Sequence, residues 1–276
     1  MNNMNLLTCP ICHTQLTQTQ TMLKCAHNHS FDIAKEGYVN LLRKAQLGDT
    51  REMLQARRTF LERGFYQPLS SAINELVATY RPAQQAQYHI LDAGCGEGYY
   101  LGRLQEALGQ QHLYMGIDIS KDGVRMAAKR YHEASFVVAN LKEPLALADK
   151  SIHILLNIFA PRNPDEFARV VAPGGLLIVV IPNNEHLQPL RTMLHLLAIE
   201  ESKQAHVIEQ FSAHFTLSHT QQVCYTLQLA RDEIALAVRM TPNYWHMSET
   251  TREAMLQLAE VETTVSFTCL AFLREL

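Results

Sequence analysis

Residues 90–100, ILDAGCGEGYY, carry an apolar strand that runs into the loop D-x-G-x-G-x-G and then into a helix. Glycines let the backbone turn sharply and approach a ligand where a Cβ would collide. A dinucleotide-binding loop would read G-x-G-x-x-G, and counting from Gly94 puts Tyr99 at its third glycine. The loop therefore predicts a ligand at the carboxyl end of a strand, and the bulky Tyr99 argues against a dinucleotide.

Strand and helix patterns alternate downstream of this loop. The strand candidates are Tyr88–Asp92, Leu113–Asp118, Ser135–Ala139, Ile152–Phe159, Leu176–Ile181, Val223–Ala230 and Val265–Leu273. The helix candidates are Tyr99–Leu108, Asp122–Tyr131, Asp165–Val171, Glu185–Glu201 and Arg231–Arg239. Because strands that alternate with helices favour parallel pairing, the pattern predicts an α/β fold with a doubly wound sheet.

Two amphipathic helices are predicted before the first of these strands, at Arg51–Arg63 and Pro68–Arg81. Their apolar positions are Met53, Ala56, Phe60 and Leu61 in the first helix, and Leu69, Ile73, Leu76, Val77 and Tyr80 in the second. Pro82 ends the second helix.

The predicted ligand-binding residues follow from the positions of these elements. Asp118 ends the second strand of the sheet, the usual place for a carboxylate that accepts hydrogen bonds from both hydroxyls of a ribose. Such bonds are charge-assisted and therefore strong and orienting. The loop residues predicted to bind the same ligand are Asp92, Gly94, Gly96, Glu97 and Gly98.

The N-terminal segment carries a metal-binding pattern. Cys9, Cys12, Cys25 and His29 read C-x2-C-x12-C-x3-H, which can close a tetrahedral Cys3His site around Zn²⁺. Soft thiolates favour zinc over magnesium or calcium, and four protein ligands leave no open position, so the predicted role is structural. The rival fourth ligands are His13 and His27. Six cysteines are too sparse for a disulfide scaffold, which favours a reducing cytoplasm.

Composition excludes several classes of protein. The chain has 276 residues, of which 47% are hydrophobic and 18% charged, and this excludes intrinsic disorder. Its longest apolar stretches, 152–160 and 176–182, are about half a bilayer span, so no membrane partner is expected. The N-terminus has no basic flank and no long apolar run, so no secretory signal is expected.

Net positive charge is confined to the N-terminal quarter. Residues 1–66 carry a net charge of +3 and the remainder carries −6. Since phosphates favour a basic surface, we expect the first quarter to bind RNA through Lys35, Arg57 and Arg58. The alternative is that one of the two arginines pairs with Glu52 or Glu62 on the same helix.

The glycine loop resembles motif I of class I S-adenosylmethionine-dependent methyltransferases. The whole chain resembles the 23S rRNA (guanine-N1)-methyltransferase family of the RlmA/RrmA type. Beyond the CPxC knuckle and the glycine loop, the stretches that carry this resemblance are Phe31–Leu42, Met53–Arg58, Asn157–Pro161, Ala168–Gly175 and Met240–Pro242.

The resemblance implies a fold and a division into domains. The implied fold is Rossmann-like, with a seven-stranded, mostly parallel sheet whose seventh strand is antiparallel, helices on both faces, and a small N-terminal zinc-binding domain. The implied division is a zinc-binding RNA-recognition module at 1–42, linker helices at 43–84 and the methyltransferase domain at 85–276.

The resemblance also implies the reaction and further site residues. The reaction is methylation of guanine N1 in a hairpin loop of 23S rRNA, with guanine 745 favoured and 748 the second possibility, by a cytoplasmic homodimer. Asn140 and Leu141 would contact the adenine of S-adenosylmethionine, Tyr66 and His186 would also reach this cofactor, and His29 would be the fourth zinc ligand.

No residue stands out as the general base that removes the proton from guanine N1. Asn157, at the end of the fourth strand, is a candidate for hydrogen bonding to the guanine edge. Two other functions remain open: a methyltransferase that acts on a small molecule or a protein, and a non-catalytic RNA-binding module with a degenerate cofactor fold.

Overall fold

The structure is a computed structural model that describes residues 3–83, 85–196, 203–241, 244 and 247–275. Within these residues, one large sheet contains eight strands. The eleven strands are β1 (Leu16–Gln18), β2 (Met22–Cys25), β3 (Ser30–Asp32), β4 (Val39–Asn40), β5 (His89–Ala93), β6 (Leu113–Asp118), β7 (Ser135–Val138), β8 (Ile152–Ile158), β9 (Val171–Pro182), β10 (Phe215–Ala230) and β11 (Glu260–Arg274).

The large sheet has the order β10-β11-β9-β8-β5-β6-β7-β4. Neighbouring strands from β9 through β4 pair in parallel, whereas β11 is antiparallel to both β9 and β10. The predicted seven-stranded sheet with an antiparallel seventh strand is therefore confirmed. The two-residue strand β4 adds an eighth strand at the edge, where it pairs with Val137 and Val138.

The described helices are α1 (Arg51–Glu62), α2 (Gln67–Tyr80), α3 (Tyr99–Leu108), α4 (Lys121–Arg130), α5 (Pro164–Val170), α6 (Leu190–Met193), α7 (Lys203–Phe211), α8 (Arg231–Arg239) and α9 (Glu249–Gln257). Local sequence sets where several of them begin. The Thr50 side chain accepts a hydrogen bond from Met53 N and caps α1, and Ser120 caps α4 in the same way through Gly123 N. None of these helices is long and apolar enough to cross a bilayer.

The central strands are buried on both sides, so successive side chains of β5, β8 and β9 enter two different apolar cores. One core receives side chains from α1, α2, α3, α4, α6, α8 and α9. The other core receives side chains from α5 and α7, and from the N-terminal residues Met4, Leu7, Leu16 and Leu23. The zinc-binding module thus covers part of the second face of the sheet.

The N-terminal module is attached to the sheet by main-chain hydrogen bonds as well as by this core. Strands β1, β2 and β3 form a small antiparallel sheet. Thr8 N donates to Ala146 O (3.0 Å), Ala148 N donates to Leu6 O (3.0 Å), and Leu41 N donates to Val138 O (2.9 Å). These bonds fix the module against the end of β7 and the connection between β7 and β8.

The predicted helix at Glu185–Glu201 is wrong over its described part. Residues 185–189 form turns, and only the single turn α6 follows. Leu187 has a left-handed backbone (φ 60°), and Pro189 lacks the N–H that a continuing helix would need. Residues 197–201 of this prediction lie outside the described residues, as does Pro242. Helices α7 and α9 were not predicted, and strands β9, β10 and β11 begin several residues before their predicted starts.

Candidate cofactor and zinc sites

The glycine loop between β5 and α3 has a backbone that only glycine adopts easily. Gly94, Gly96 and Gly98 have φ values of 96°, 53° and 85°. A Cβ on Gly94 would lie 2.2 Å from Cβ of Ala160, which is far inside van der Waals contact. The loop is therefore packed directly against the residues that follow β8, and the predicted motif takes the expected position at the carboxyl end of a strand.

Asp118 joins the end of β6 to the glycine loop. Its Oδ2 accepts a hydrogen bond from Gly96 N (2.9 Å), and its Oδ1 accepts one from Ser120 N (2.7 Å). Burial raises the pKa of Asp118 above its ordinary value, and these two N–H donors act in the opposite direction. Asp118 therefore lies beside the loop, as predicted from its position at the strand end.

Asp92 is 1% exposed, and no described group is a hydrogen-bond partner of its Oδ1 atom. Burial, together with the neighbouring acids Asp118 and Glu97, raises the pKa of Asp92 to about 8. A buried acceptor without a donor costs stability unless a ligand supplies one. The three acidic groups thus form a site that favours a cationic ligand.

Arg57 lies at this loop and has partners within the protein, and the expectation that it contacts RNA stays a prediction. A Cβ on Gly96 would lie 3.3 Å from its Nη1 atom. Its Nη2 atom pairs with Asp49 Oδ2 (2.6 Å) and donates to Met240 O (3.1 Å). Burial disfavours the charged form, but Asp49 and Glu97 outweigh this effect and raise the pKa of Arg57. The guanidinium is therefore engaged by Asp49 and Met240 beside the cofactor loop, although the side chain is still 26% exposed.

Arg58, one position along α1, points elsewhere. Its Nε atom donates to Glu62 Oε1 at 2.8 Å, and Glu62 also pairs with Arg130. The alternative reading, in which one of the two arginines pairs along the helix, is confirmed for Arg58 and Glu62. Lys35 is exposed, as expected for a residue that meets RNA.

Tyr66 and His186 lie against each other. The Tyr66 hydroxyl is 3.2 Å from Nε2 of His186, and both residues are buried. His186 Nδ1 accepts from Ser266 N (3.4 Å), so Nε2 carries the ring proton and donates to the tyrosine oxygen. Burial lowers the pKa of His186 to about 3, which keeps this ring neutral. The Tyr66 O–H therefore stays able to donate to a further group.

Asn140 and Leu141 follow β7. Leu141 Cδ1 would lie 3.6 Å from a Cβ on Gly94, so this residue borders the glycine loop. Asn140 Nδ2 donates to Gln46 Oε1 (2.9 Å), and its Oδ1 accepts from Lys142 N (2.9 Å). The segment before α1 therefore crosses the region in which adenine is expected.

Asn157 is fully buried in β8. Its Nδ2 donates to Ala93 O (3.1 Å) and to Pro161 O (3.0 Å). The amide nitrogen is thus used inside the protein, whereas Oδ1 has no hydrogen-bond partner among the described residues, so the hypothesis that Asn157 hydrogen-bonds the edge of guanine stays a prediction. Its role is to hold together the loops that follow β5 and β8.

The predicted zinc ligands converge. The ligand atoms of Cys9, Cys12, Cys25 and His29 all lie within 4.8 Å of one another. His29 Nδ1 is 3.5 Å from Cys9 Sγ and 3.4 Å from Cys25 Sγ. A hydrogen bond from Thr14 lowers the pKa of Cys12 to about 5, which favours the thiolate that zinc requires. Three soft sulfur atoms and one imidazole nitrogen fit tetrahedral Zn²⁺.

Comparison with known proteins identifies the family. A family model described as "RlmA, N-terminal" matches residues 7–44, and a methyltransferase-domain model matches residues 90–175. The 23S rRNA (guanine(748)-N(1))-methyltransferase of Streptomyces fradiae is 36% identical over 275 residues, which cover 97% of this chain and 96% of that protein. The chain belongs to the 23S rRNA (guanine-N1)-methyltransferase family. A candidate member from Micromonospora griseorubida is 37% identical to this methyltransferase over 257 residues, 87% of each chain.

Solved structures support the same fold for this methyltransferase. The YcgJ protein from Bacillus subtilis superposes with a TM-score of 0.50 over 75% of this chain and 99% of that chain, at 15% identity. The MccD protein gives a TM-score of 0.51 over 74% of this chain and 96% of that chain, also at 15% identity. At this level of identity, the likeness concerns the fold alone.

The methyltransferase uses S-adenosylmethionine as methyl donor and contains a structural zinc site. The residues around the glycine loop fit this cofactor. Its sulfonium and ammonium groups are cationic, and Asp92, Glu97 and Asp118 supply buried acidic groups beside Arg57 as the basic one. Oδ1 of Asp92, which has no hydrogen-bond partner among the described residues, can accept a hydrogen bond from an N–H group of the cofactor.

Sequence reasoning missed the role of Arg57. Arg57 lies four residues after Met53 and three before Phe60, within the apolar stripe of α1. A charged residue on a buried stripe needs a partner, and this signal was available in the sequence. Its partner Asp49 precedes the helix, in a segment without regular structure, and no local pattern marked it.

Proposed function

We propose that this protein transfers the methyl group of S-adenosylmethionine to N1 of a guanine in a hairpin loop of 23S rRNA. The observation that carries the proposal is the joint presence of the acidic glycine-loop site and the convergent Cys3His cluster in one chain. Guanine N1 carries a proton and becomes a good nucleophile only when the proton leaves. The sulfonium supplies the electrophilic methyl group when it is bound.

The chain contributes binding and orientation. We assign the ribose hydroxyls to Asp118, whose carboxylate lies at the end of β6, and the ammonium group to Asp92. We assign the carboxylate of the cofactor to the O–H of Tyr66, which His186 fixes by donating to its oxygen. Because the reaction needs N1, methyl and sulfur in line, such fixed contacts are the main contribution of the protein.

The remaining cofactor contacts are assigned by position around the loop. The main chain can approach the cofactor closely at Gly94, Gly96 and Gly98, because glycine has no Cβ. The side chain of Glu97 supplies a buried carboxyl group beside the cofactor. Asn140 and Leu141 would border the adenine, where Leu141 already lies near Gly94.

The zinc module is proposed to bind RNA rather than to take part in methyl transfer. We keep the division into an RNA-recognition module at 1–42, linker helices at 43–84 and a methyltransferase domain at 85–276. Four exposed basic side chains of the first 44 residues, with no ion pair among the described residues, are Lys24, Lys35, Arg43 and Lys44. We prefer them to Arg57 and Arg58, which pair with acids, as the proposed phosphate contacts.

Replacing these four residues with Ala should weaken RNA binding and reduce its salt dependence by up to about four effective phosphate contacts. Cofactor affinity should stay within about twofold, because none of the four is in the glycine-loop site. Fluorescence titrations with an rRNA hairpin at several salt concentrations measure the salt dependence of RNA binding for the wild type and for the variant. An unchanged slope would place the RNA-binding surface elsewhere.

The reaction itself is tested by incubating the protein with labelled S-adenosylmethionine and unmodified 23S rRNA and then mapping the modified base. Asp118→Ala serves as the control for cofactor dependence. Mapping decides between guanine 745, which the sequence resemblance favours, and guanine 748, for which the Streptomyces fradiae relative is named. Label found only in protein or small molecules would refute the proposal.

The family resemblance also supports a homodimer that acts in the cytoplasm. Light scattering during size-exclusion chromatography tests the dimer, and a monomeric mass would refute it. The same run with the rRNA hairpin present shows how many chains one RNA binds.

A further inference from the structure

Phe159 stands out at the carboxyl end of β8. Its side chain is 45% exposed, and its backbone is left-handed with φ 54°. A bulky residue with positive φ is a strained exception that persists only where surrounding structure enforces it, and such residues cluster at functional sites. The strain is therefore a reason to look for a ligand at this ring.

The surroundings of Phe159 hold the strained backbone in place. Asn157 Nδ2 bridges Ala93 O and Pro161 O, which ties the segment on both sides of Phe159 to the end of β5. Phe159 N also donates to Val180 O (3.2 Å) on the neighbouring strand. The next residue, Ala160, packs against Gly94, so Phe159 is one residue from a contact with the cofactor loop.

Other aromatic rings support Phe159 from the protein side. Its ring centroid is 5.0 Å from that of Phe267, which is 1% exposed. Phe267 in turn lies 5.0 Å from the Tyr66 ring and 4.4 Å from the His186 ring. These four rings form a continuous aromatic wall in which Phe159 is the exposed member. The wall begins at Tyr66 and His186, the residues assigned to the cofactor.

We propose that the exposed ring of Phe159 is the stacking platform for the target guanine. This inference rests on the proposed function. An unstacked RNA base needs an apolar face to replace the stacking it loses when it leaves the loop, and an aromatic side chain supplies one. A rigid backbone next to the cofactor loop would place that face at a fixed distance from the methyl donor.

The test compares Phe159→Ala, Phe159→Tyr and the wild type. Loss of one base–aromatic stack raises KM for an rRNA hairpin about 5- to 100-fold, as expected from stacking on other single strands. Phe159→Tyr keeps the ring and should stay within about threefold of the wild type. The exposed Leu256, at 49% exposure on α9, provides a matched control through Leu256→Ala.

Two further readouts separate stacking from a structural effect. S-adenosylmethionine affinity, measured by calorimetry, should be unchanged in Phe159→Ala. A hairpin with 2-aminopurine at the target position should show a similar fluorescence change on binding to the wild type and to Phe159→Tyr, and a different change with Phe159→Ala, because the emission of this base depends on what it stacks against.

The outcomes distinguish this inference from the proposed function. If the wild type methylates guanine N1 but Phe159→Ala leaves KM and the fluorescence change unchanged, the stacking role is refuted and the function stands. If the wild type methylates no guanine, the function fails, and so does the inference that rests on it. Equal loss of S-adenosylmethionine affinity and RNA affinity in Phe159→Ala would indicate a structural role and would also overturn the proposal.

Discussion

Replacing Arg57 with Ala should destabilise the protein far more than replacing its neighbour Arg58. The Arg57 side chain is 26% exposed, pairs with Asp49 and donates to Met240 O. Loss of a partly buried charged donor with two such partners costs about 2–3 kcal/mol. Arg58 is 39% exposed and pairs with Glu62 along the helix surface, which is worth at most about 0.5 kcal/mol.

The difference should also depend on pH. Burial raises the pKa of Glu97 and of Asp118, and the charge of Arg57 limits both rises. Without Arg57, the carboxyl groups of Glu97 and Asp118 stay protonated to a higher pH in the folded protein, whereas in the unfolded chain they lose their protons near pH 4 to 4.5. The free energy of unfolding then falls as pH rises, by about 1.4 kcal/mol for each unit of extra pKa shift. The penalty of Arg57→Ala should therefore be larger at pH 8 than at pH 5.

Urea titrations of the wild type and both variants at pH 5 and pH 8 measure these differences through the midpoint concentration. RNA binding provides a second comparison, because Arg57 is engaged by Asp49 and should not change the salt slope. Equal destabilisation by the two variants, or a penalty for Arg57→Ala that does not grow with pH, would refute the placement of Arg57 among the cofactor-site acids.

Three further predictions concern single residues. Burial lowers the pKa of His186 from 6.5 to about 3, so the unfolded chain takes up a proton first as pH falls. His186 should therefore contribute a drop of about 2 kcal/mol in the free energy of unfolding between pH 7 and pH 5, measured in urea titrations as the difference between the pH slopes of the wild type and His186→Gln. One equivalent of zinc should be found by metal analysis, lost in His29→Ala and retained in His27→Ala; the reverse pattern would show that His27 is the ligand. Asp118→Ala should weaken S-adenosylmethionine binding by roughly 2–4 kcal/mol in calorimetry, since two charge-assisted hydrogen bonds are lost.

The central strands could be predicted because they are buried on both faces. The predicted strands Leu113–Asp118 and Ile152–Phe159 match the observed strands to within one residue. The loop at Gly94 could be predicted for a similar reason, since its backbone restricts the residue type and leaves a trace in the sequence. Burial on both faces and a left-handed backbone each restrict the residue types that a segment can carry, and such restrictions can be recognised in the sequence.

The missed features depend on contacts that are distant along the chain. Whether the Arg57 side chain faces solvent or the cofactor loop depends on where α1 packs, and its partners Asp49 and Met240 belong to separate segments. The strand β4 has only two residues, and its pairing with β7 becomes visible only in three dimensions. Phe159 resembles an ordinary strand residue in the sequence, because its positive φ has no local signature.

The place of the N-terminal module in the fold connects the zinc site with the cofactor site. Residues 139–151, between β7 and β8, form no helix, so this crossover leaves part of the second face of the sheet uncovered. Leu7, Leu16 and Leu23 from the zinc module fill this position and share a core with the crossover. The crossover also contains Asn140 and Leu141, which border the glycine loop. Loss of zinc should therefore disturb the cofactor site as well as RNA binding, because the module that zinc stabilises is part of the core beneath that site.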